Sequence, residues 1–239
     1  MPDLLLSPAE MEALWLSLKI GIAGVAISLP PGLFIAWALS RRDFPGKFAL
    51  DTAVHLPLVM PPVVTGYLLL LAFGNRGFAG GWLQQHLGFT LAFNWKGAAL
   101  AAAVMGFPLL VRALRLSFDA VDRKLEQAAR TLGASPLDVL WSITLPLIMP
   151  GLITGVLLAF ARGLGEFGAT ITFVANIPGE TQTLPIALYS ALQSPGGELR
   201  AARLLVISIT LAVGALAASE ILASRMRRRI SGTTTERAE

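Results

Sequence analysis

The chain of 239 residues contains no cysteine and only two histidines, and 14% of its residues are charged. Without cysteine it forms no disulfide, cysteine-zinc site or thiol nucleophile. His55 and His86 lack metal-ligand spacing, and the sequence has no Gly-x-x-x-x-Gly-Lys-Ser/Thr phosphate loop. We therefore predict no metal site, no cofactor and no catalytic residue, and we expect no ATP hydrolysis by this chain alone.

Apolar residues dominate the composition, at 54% of the chain with a mean hydropathy of +0.66. A soluble domain carries roughly 25% charged residues, so this composition favours an integral membrane protein. The first basic residue is Lys19, and a cleaved signal peptide would have a basic start. We therefore expect the first apolar segment to remain in the protein.

Five segments are apolar enough and long enough, at about 20 residues, to cross a membrane as helices. Prolines inside the first three predict either local kinks or bent helices that line a path. The predicted fold is therefore an all-α membrane domain over residues 1–230, followed by a polar tail at 231–239. The predicted spans are 14–39, 52–73, 97–116, 149–174 and 203–223.

Basic residues lie mainly on one predicted side of these spans. Thirteen of the nineteen fall in the loop 40–51, the segment 112–148 or the C-terminal tail. Because positive charge favours the cytoplasmic side, the N-terminus is predicted outside and the C-terminus inside. The basic charge is thus explained by topology, and we expect no nucleic acid partner.

The loop between the third and fourth spans, about 117–148, has the pattern of two short amphipathic helices. Apolar Leu125, Ala128, Ala129 and Leu132 recur at helical spacing, and Gly133 suits a left-handed cap. Ser-Pro-Leu-Asp from residue 135 predicts a second helix start. Pro146 and Pro150 predict a turn into the fourth span. Such a loop is either an interfacial linker or, because of its small alanines, a helix that enters a partner's groove.

"QAARTLG", nine further residues and "ITLP" resemble the EAA signature of binding-protein-dependent ABC importer permeases. Gln127 stands where that signature has glutamate, and Glu126 precedes it. "FPGK", "HLPLVMPPVVTGYLLL" and "FARGLGEFGATITFVANIPGET" extend the resemblance to molybdate permeases, close relatives of sulfate and tungstate permeases. The residues assigned to ATPase coupling by this resemblance are Glu126, Gln127, Ala128, Ala129, Gly133, Ile143, Leu145 and Pro146.

The resemblance implies a permease in the inner membrane that transports molybdate as a homodimer. Each copy would dock its EAA loop on one of two cytoplasmic ABC ATPase subunits, and a periplasmic binding protein would deliver the oxyanion. Tungstate, sulfate or thiosulfate transport is the alternative within the family. A secondary transporter is the alternative outside it, with Glu166 and Glu220 as candidate coupling carboxylates; it would not need the EAA loop.

Arg162 and Glu166 stand four residues apart within the fourth predicted span. Charges inside a membrane are costly, so they are paired or face the interior of the bundle. Three roles stay open for this candidate pair: an ion pair within one helix that fixes packing, a contribution of Arg162 to an anion path, and a bridge that breaks between transport states.

Overall fold

The computed structural model describes residues 6–235, with only the backbone for residues 219, 220, 223 and 225–235. This part of the chain is helical and contains no strand, which confirms the predicted all-α class. The predicted tail lies outside the described side chains. The helices are α1 (Pro8–Arg41), α2 (Lys47–Val59), α3 (Pro62–Phe73), α4 (Phe78–Leu87), α5 (Trp95–Ala120), α6 (Arg123–Thr131), α7 (Pro136–Val139), α8 (Leu145–Leu164), α9 (Gly168–Val174), α10 (Leu184–Leu192) and α11 (Glu198–Thr235).

Four helical stretches in the described residues are long and apolar enough to cross a membrane. A fifth crossing is possible if α2 and α3 count together, although their axes differ by 117°. The five predicted spans therefore correspond to four helical stretches and one broken pair. The four stretches are Pro8–Arg41, Trp95–Ala120, Pro136–Leu164 and Glu198–Ala218.

The second predicted span, 52–73, is broken at consecutive prolines. Met60 and Pro61 have extended backbones, with ψ of 143° and 133°, and α3 starts at Pro62. A proline disfavours helical geometry in the residue before it, so Pro61 and Pro62 together take two residues out of the helix. By contrast, Pro30 and Pro31 lie inside the unbroken α1, and Pro108 lies inside α5.

Helix α5 lies at the centre of the bundle and packs against both α1 and α8. Its buried face is made largely of glycine and alanine, so the neighbouring backbones approach closely. A Cβ at Gly106 would lie 2.9 Å from the Ala159 carbonyl of α8, and one at Gly24 would lie 3.1 Å from the Ala99 carbonyl. These contacts fix α1 and α8 relative to α5.

Buried polar contacts join α1 to the C-terminal helices at one end of the bundle. The Glu10 side chain is fully buried, and the Arg203 Nε donates to its Oε1 at 3.1 Å. The Leu184 amide donates to the Ser17 hydroxyl at 2.7 Å. The segment that connects α5 to α8 lies at the opposite end of α5, together with the C-terminal end of α1.

Candidate functional site

The connecting segment, residues 121–146, starts with a short helix that is capped at both ends. Asp122 accepts a hydrogen bond from the Lys124 amide at 2.9 Å, which caps the start of α6. At the other end Gly133 has a φ of +89°, and its amide donates to the Arg130 carbonyl at 3.0 Å. The Ala134 amide donates to the Ala129 carbonyl at 3.1 Å, which completes a Schellman motif. The left-handed cap predicted at Gly133 is therefore present.

The second helix start is also as the sequence predicts, but the turn expected at the prolines is absent. Ser135 and Asp138 form a reciprocal capping box at the start of α7. The chain then passes through one π-helical turn, Leu140–Thr144, directly into α8. In this wider turn the Leu145 amide bonds to the Leu140 carbonyl five residues back, which gives the ring of Pro146 room in the helix. The prediction that Pro146 and Pro150 mark a turn is wrong.

The Glu126 side chain joins the connecting segment to the bundle. Its Oε1 accepts from the Arg41 Nη2 at 3.2 Å and from the Thr144 hydroxyl at 2.9 Å. The Arg41 and Glu126 side chains are 9% and 16% exposed, so solvent weakens the pair little. One carboxylate therefore joins the end of α1, the middle of α6 and the start of α8.

Two further contacts attach the end of α1 to the same segment. The Ser40 hydroxyl donates to Asp119 near the end of α5, and the Arg123 Nη2 donates to the Ser40 carbonyl at 3.0 Å. Sequence reasoning assigned Arg41 and Arg123 to membrane topology alone and did not single out Ser40, Asp119 or Thr144. These partners are as many as 85 positions apart in the chain, so no local spacing could have indicated them.

Large apolar side chains on the connecting segment are exposed. Leu132 is 89% exposed, and Leu137 and Trp141 are each 66% exposed. Leu125, on the same face of α6 as Leu132, is 50% exposed. A soluble surface seldom groups such side chains, and a contiguous apolar patch marks an interaction site. Leu125 and Leu132 of the predicted α6 stripe are thus exposed, whereas Ala129 of the same stripe is half-buried. We call the exposed side chains of Leu125, Leu132, Leu137 and Trp141 the apolar face.

The residues of the EAA signature fall into two groups. Glu126, Ala129, Ile143 and Leu145 are half-buried and lie toward the bundle, while Gly133 supplies the cap. Gln127, Ala128 and Pro146 are exposed. Glu126 rather than Gln127 makes the internal contacts described above, so the two neighbouring residues have different surroundings.

Arg162 and Glu166 form an ion pair at a helix break rather than within one helix. Helix α8 ends at Leu164 and α9 begins at Gly168. Glu166 is 2% exposed and accepts from the Arg162 Nη1 at 2.6 Å and from the Ala169 amide at 2.7 Å. The expectation of one unbroken helix through 149–174 is therefore wrong, because Glu166 uses its carboxylate to hold the start of the next helix. Arg162 remains 27% exposed.

The described residues contain no group of three or more histidine, aspartate or glutamate side chains that could hold a metal ion. The His55 Nδ1 lies 2.8 Å from the Asp51 carbonyl oxygen one helical turn earlier. Asp51 itself accepts from the Arg115 Nη1 at 3.0 Å, which ties α2 to α5. This end of the bundle is therefore held by charged contacts on both α1 and α2.

Comparison with known proteins gives a consistent result. The sequence model of the binding-protein-dependent transport system inner membrane components matches residues 28–228. The chain is 59% identical over 226 residues to the molybdenum transport system permease protein ModB of Escherichia coli strain K12, covering 95% of this chain and 99% of the relative. It is 53% identical to ModB of Haemophilus influenzae, with coverage of 92% and 96%.

A more distant relative is the probable sulfate transport system permease protein cysT of Nephroselmis olivacea, 35% identical with coverage of 86% and 73%. Among solved structures, a bacterial ABC transporter involved in the import of the acidic polysaccharide alginate matches with a TM-score of 0.68. The sequence identity is 18%, and the match covers 94% of this chain and 81% of that chain. At this identity the likeness establishes the fold.

Proposed function

The chain belongs to the binding-protein-dependent transport system inner membrane components, and we propose that it is the permease subunit of an ATP-driven molybdate importer. As a multi-pass permease of the inner membrane it provides the path, and a separate ATPase supplies the energy. The identities of 59% and 53% to molybdenum permeases, against 35% to a sulfate permease, favour molybdate as the substrate.

The observation that carries the proposed coupling is the exposed apolar face on a firmly attached segment. Leu125, Leu132, Leu137 and Trp141 present apolar area to solvent, although α6 is otherwise polar. A short helix with an apolar face and small alanines suits insertion into a groove of a partner. We assign this face to docking on the ATPase.

The attachment of the segment provides a way to transmit movement. Glu126 links α6 to α1 through Arg41 and to the start of α8 through Thr144. Because α7 continues into α8 without a turn, a displacement of the docked segment moves α8 directly. The flexible joint in this scheme is Gly133, where α6 ends. ATP-driven closure of the ATPase pair would thus tilt α1 and α8 of each permease copy.

The orientation and the partners complete the proposal. The basic loops and the connecting segment face the cytoplasm, the N-terminus faces outward and the C-terminus faces inward. The permease works as a homodimer with two ATPase copies, and a periplasmic protein delivers molybdate to it. The excess of basic residues near the connecting segment supports this orientation.

A substitution on the apolar face tests the docking role. Leu132→Ser removes an apolar side chain that is 89% exposed, so folding should be unchanged while ATPase capture in detergent falls. Interface residues that matter cost more than 1 kcal/mol on truncation, so we expect at least about fivefold weaker capture. Leu87→Ser, at a 58% exposed leucine on α4, is the matched control. Equal ATPase capture by the Leu132 variant and wild type would refute docking by this face.

The substrate requires a separate experiment on the reconstituted transporter. Labelled molybdate uptake should be supported by the partner binding protein and should persist in excess sulfate. If sulfate abolishes uptake, or if the binding protein prefers sulfate, the chain is a sulfate permease and the docking proposal still stands. Competition by tungstate would identify a permease that does not distinguish the two metal oxyanions.

The pair Arg162–Glu166 is best supported as a packing element at the break between α8 and α9. Glu166 is nearly fully buried and satisfied by both the guanidinium and a backbone amide. Arg162 uses one of its nitrogens in this pair and stays partly exposed, which keeps a role beside the anion path open to test. Arg162→Gln distinguishes the two roles. Loss of transporter assembly would support the packing role, and loss of uptake by an assembled transporter would support a role beside the anion path.

A further inference from the structure

A cavity of about 360 Å³ lies between the C-terminal end of α1 and helix α6. Four arginines and one glutamate line it, so positive charge is in clear excess. Its lining residues are Trp37, Arg41, Arg42, Arg123, Glu126, Gln127 and Arg130. Arg41 and Glu126 also form the pair that the proposed transmission of movement uses, but that proposal places no ligand in the cavity.

The arginines of this cavity are only partly satisfied by protein groups. Arg41 is nine-tenths buried, and its Nε has no hydrogen-bond partner among the residues that the structure describes. Arg42 contacts the Trp37 ring at 5.3 Å, and within the described part of the chain the Arg130 side chain makes no hydrogen bond or ion pair. A buried donor without a partner is costly, so a cluster of this kind is suited to an anion.

An apolar wall leads from the cavity along α1, which is long enough to cross the membrane. Phe34 is 66% exposed, and its ring lies 6.1 Å from that of Trp37. Tryptophan is typical of the membrane–water interface, and basic pockets between helices at that level take acidic lipid headgroups. The wall suits an acyl chain, and the cavity suits the phosphate attached to it.

The cavity and the apolar face lie on opposite sides of α6. Arg123, Glu126, Gln127 and Arg130 follow helical spacing on one side, and Leu125, Ala128 and Leu132 follow it on the other. A partner that docks on the apolar face therefore does not occupy the cavity by the same contact. This separation favours a lipid over an acidic segment of a protein partner.

We propose that this cavity binds the phosphate headgroup of an anionic phospholipid, such as phosphatidylglycerol, at the end of α1. Arg42, directly after the end of α1, and Arg130 on α6 contact the phosphate from its two sides. The bound lipid thereby adds a bridge between α1 and the connecting segment, beside the bridge that Glu126 makes. The proposal requires only that α1 crosses a membrane, so it is independent of the substrate and of ATPase docking.

Native mass spectrometry of the purified full chain tests the proposal by titration with phosphatidylglycerol and with phosphatidylethanolamine. Each basic residue near a membrane surface changes the affinity about fivefold, so the double variant Arg42→Gln, Arg130→Gln should bind phosphatidylglycerol about 30-fold more weakly. Lys124→Gln is the matched control, because Lys124 lies on α6 but does not line the cavity. Equal losses in the control and the double variant would overturn the proposal.

Gln127→Glu provides a second variant that keeps size and shape. It adds a negative charge to the cavity lining and should weaken phosphatidylglycerol binding about fivefold, with little change for phosphatidylethanolamine. Unchanged affinity for phosphatidylglycerol in this variant would contradict a headgroup beside Gln127. No arginine is removed in this variant, so a loss here comes from the added negative charge rather than from a missing arginine side chain.

The position of the lipid can be read from Trp37. Phosphatidylglycerol brominated on its acyl chains should quench wild-type emission more than that of Trp37→Phe, which lacks this indole. Excess inorganic phosphate should not displace the lipid; if it does, the site takes free phosphate. If the purified ATPase displaces one lipid per chain, the cavity belongs to the ATPase interface, and the lipid proposal fails while docking stands.

Discussion

Two glutamate–arginine pairs hold two different regions of this permease. Arg41–Glu126 joins the end of α1 to the connecting segment, across 85 positions of the chain. Arg162–Glu166 lies at the break between α8 and α9 and joins residues four positions apart. In both pairs the carboxylate also accepts a second hydrogen bond, from the Thr144 hydroxyl in one and from the Ala169 amide in the other.

The difference lies in what each pair connects. The Arg41–Glu126 pair fixes α6 to α1 and to the start of α8, so its loss should change how movement is transmitted from the docked segment. The Arg162–Glu166 pair holds the consecutive helices α8 and α9 together through a buried carboxylate, so its loss should change the stability of the folded protein. Burial of the carboxylate, 2% exposed at Glu166 and 16% at Glu126, sets the order of the energetic effects.

The largest effect is expected from Glu166→Ala. It leaves the Arg162 charge without its partner and the Ala169 amide without its acceptor, and should lower the free energy of unfolding by about 3 kcal/mol. Titration with denaturing detergent in mixed micelles would measure this. Glu166→Gln keeps an oxygen that accepts from the Ala169 amide, so it should lower the free energy of unfolding by less than Glu166→Ala does. A Glu166→Ala protein as stable as wild type would show that the pair does not fix the break.

Glu126→Ala should have a smaller effect on stability and a larger one on coupling. It removes acceptors for Arg41 and Thr144, at a cost of about 2 kcal/mol. We expect ATP hydrolysis by the assembled transporter to continue while molybdate uptake falls. Arg41→Gln is the reciprocal variant and should act in the same direction. If both variants lose uptake and hydrolysis in proportion, the pair serves assembly rather than transmission.

Gly133→Ala tests the left-handed cap at the end of α6, a backbone feature that the local sequence predicts. A φ of +89° is unfavourable for alanine, and a Cβ there would meet no atom of the described residues within 4 Å, so the effect should be backbone strain of about 1 kcal/mol. Asparagine tolerates this conformation better, so Gly133→Asn should lie closer to wild type in the same unfolding titration. Equal stability of all three proteins would argue against a left-handed cap.

Lys47→Ala gives the smallest expected effect, because its partner Asp43 is fully exposed and Lys47 itself is 30% exposed. The hydrogen bond from Lys47 to Asp43 holds the pKa of the Asp43 carboxyl below its usual range. Because this pKa is lowered on folding, its contribution exists above the unfolded pKa and is lost as the pH falls through the folded one. Because Asp43 is fully exposed this contribution is small, so the thermal unfolding of wild type and variant should nearly coincide at neutral pH and converge completely as the pH falls through the folded pKa. A clear gap at neutral pH would show that exposure is not what separates this pair from Arg162–Glu166.

Local patterns predicted the local features of the molecule well. Gly133 and the Ser135–Asp138 box were identified from spacing, because caps involve residues within one turn of each other. The proline predictions had mixed outcomes. A kink or bend was predicted from the prolines of the second span, and the chain bends there by 117° at Pro61 and Pro62. The turn predicted at Pro146 is absent, and a π-helical turn at Leu140–Thr144 accommodates that proline. The effect of a proline depends on the hydrogen bonds that its neighbours can rearrange.

The sequence by itself determined the class of the protein, the amphipathic connecting segment and its caps, because composition, helical periodicity and capping are properties of nearby residues. Only the tertiary structure decided that Glu126 joins α1 and α8, that Glu166 holds a helix break, and that four arginines line one cavity. These arrangements depend on which distant side chains packing brings within hydrogen-bond reach. In a chain with so few charges, that proximity decides what each charge does.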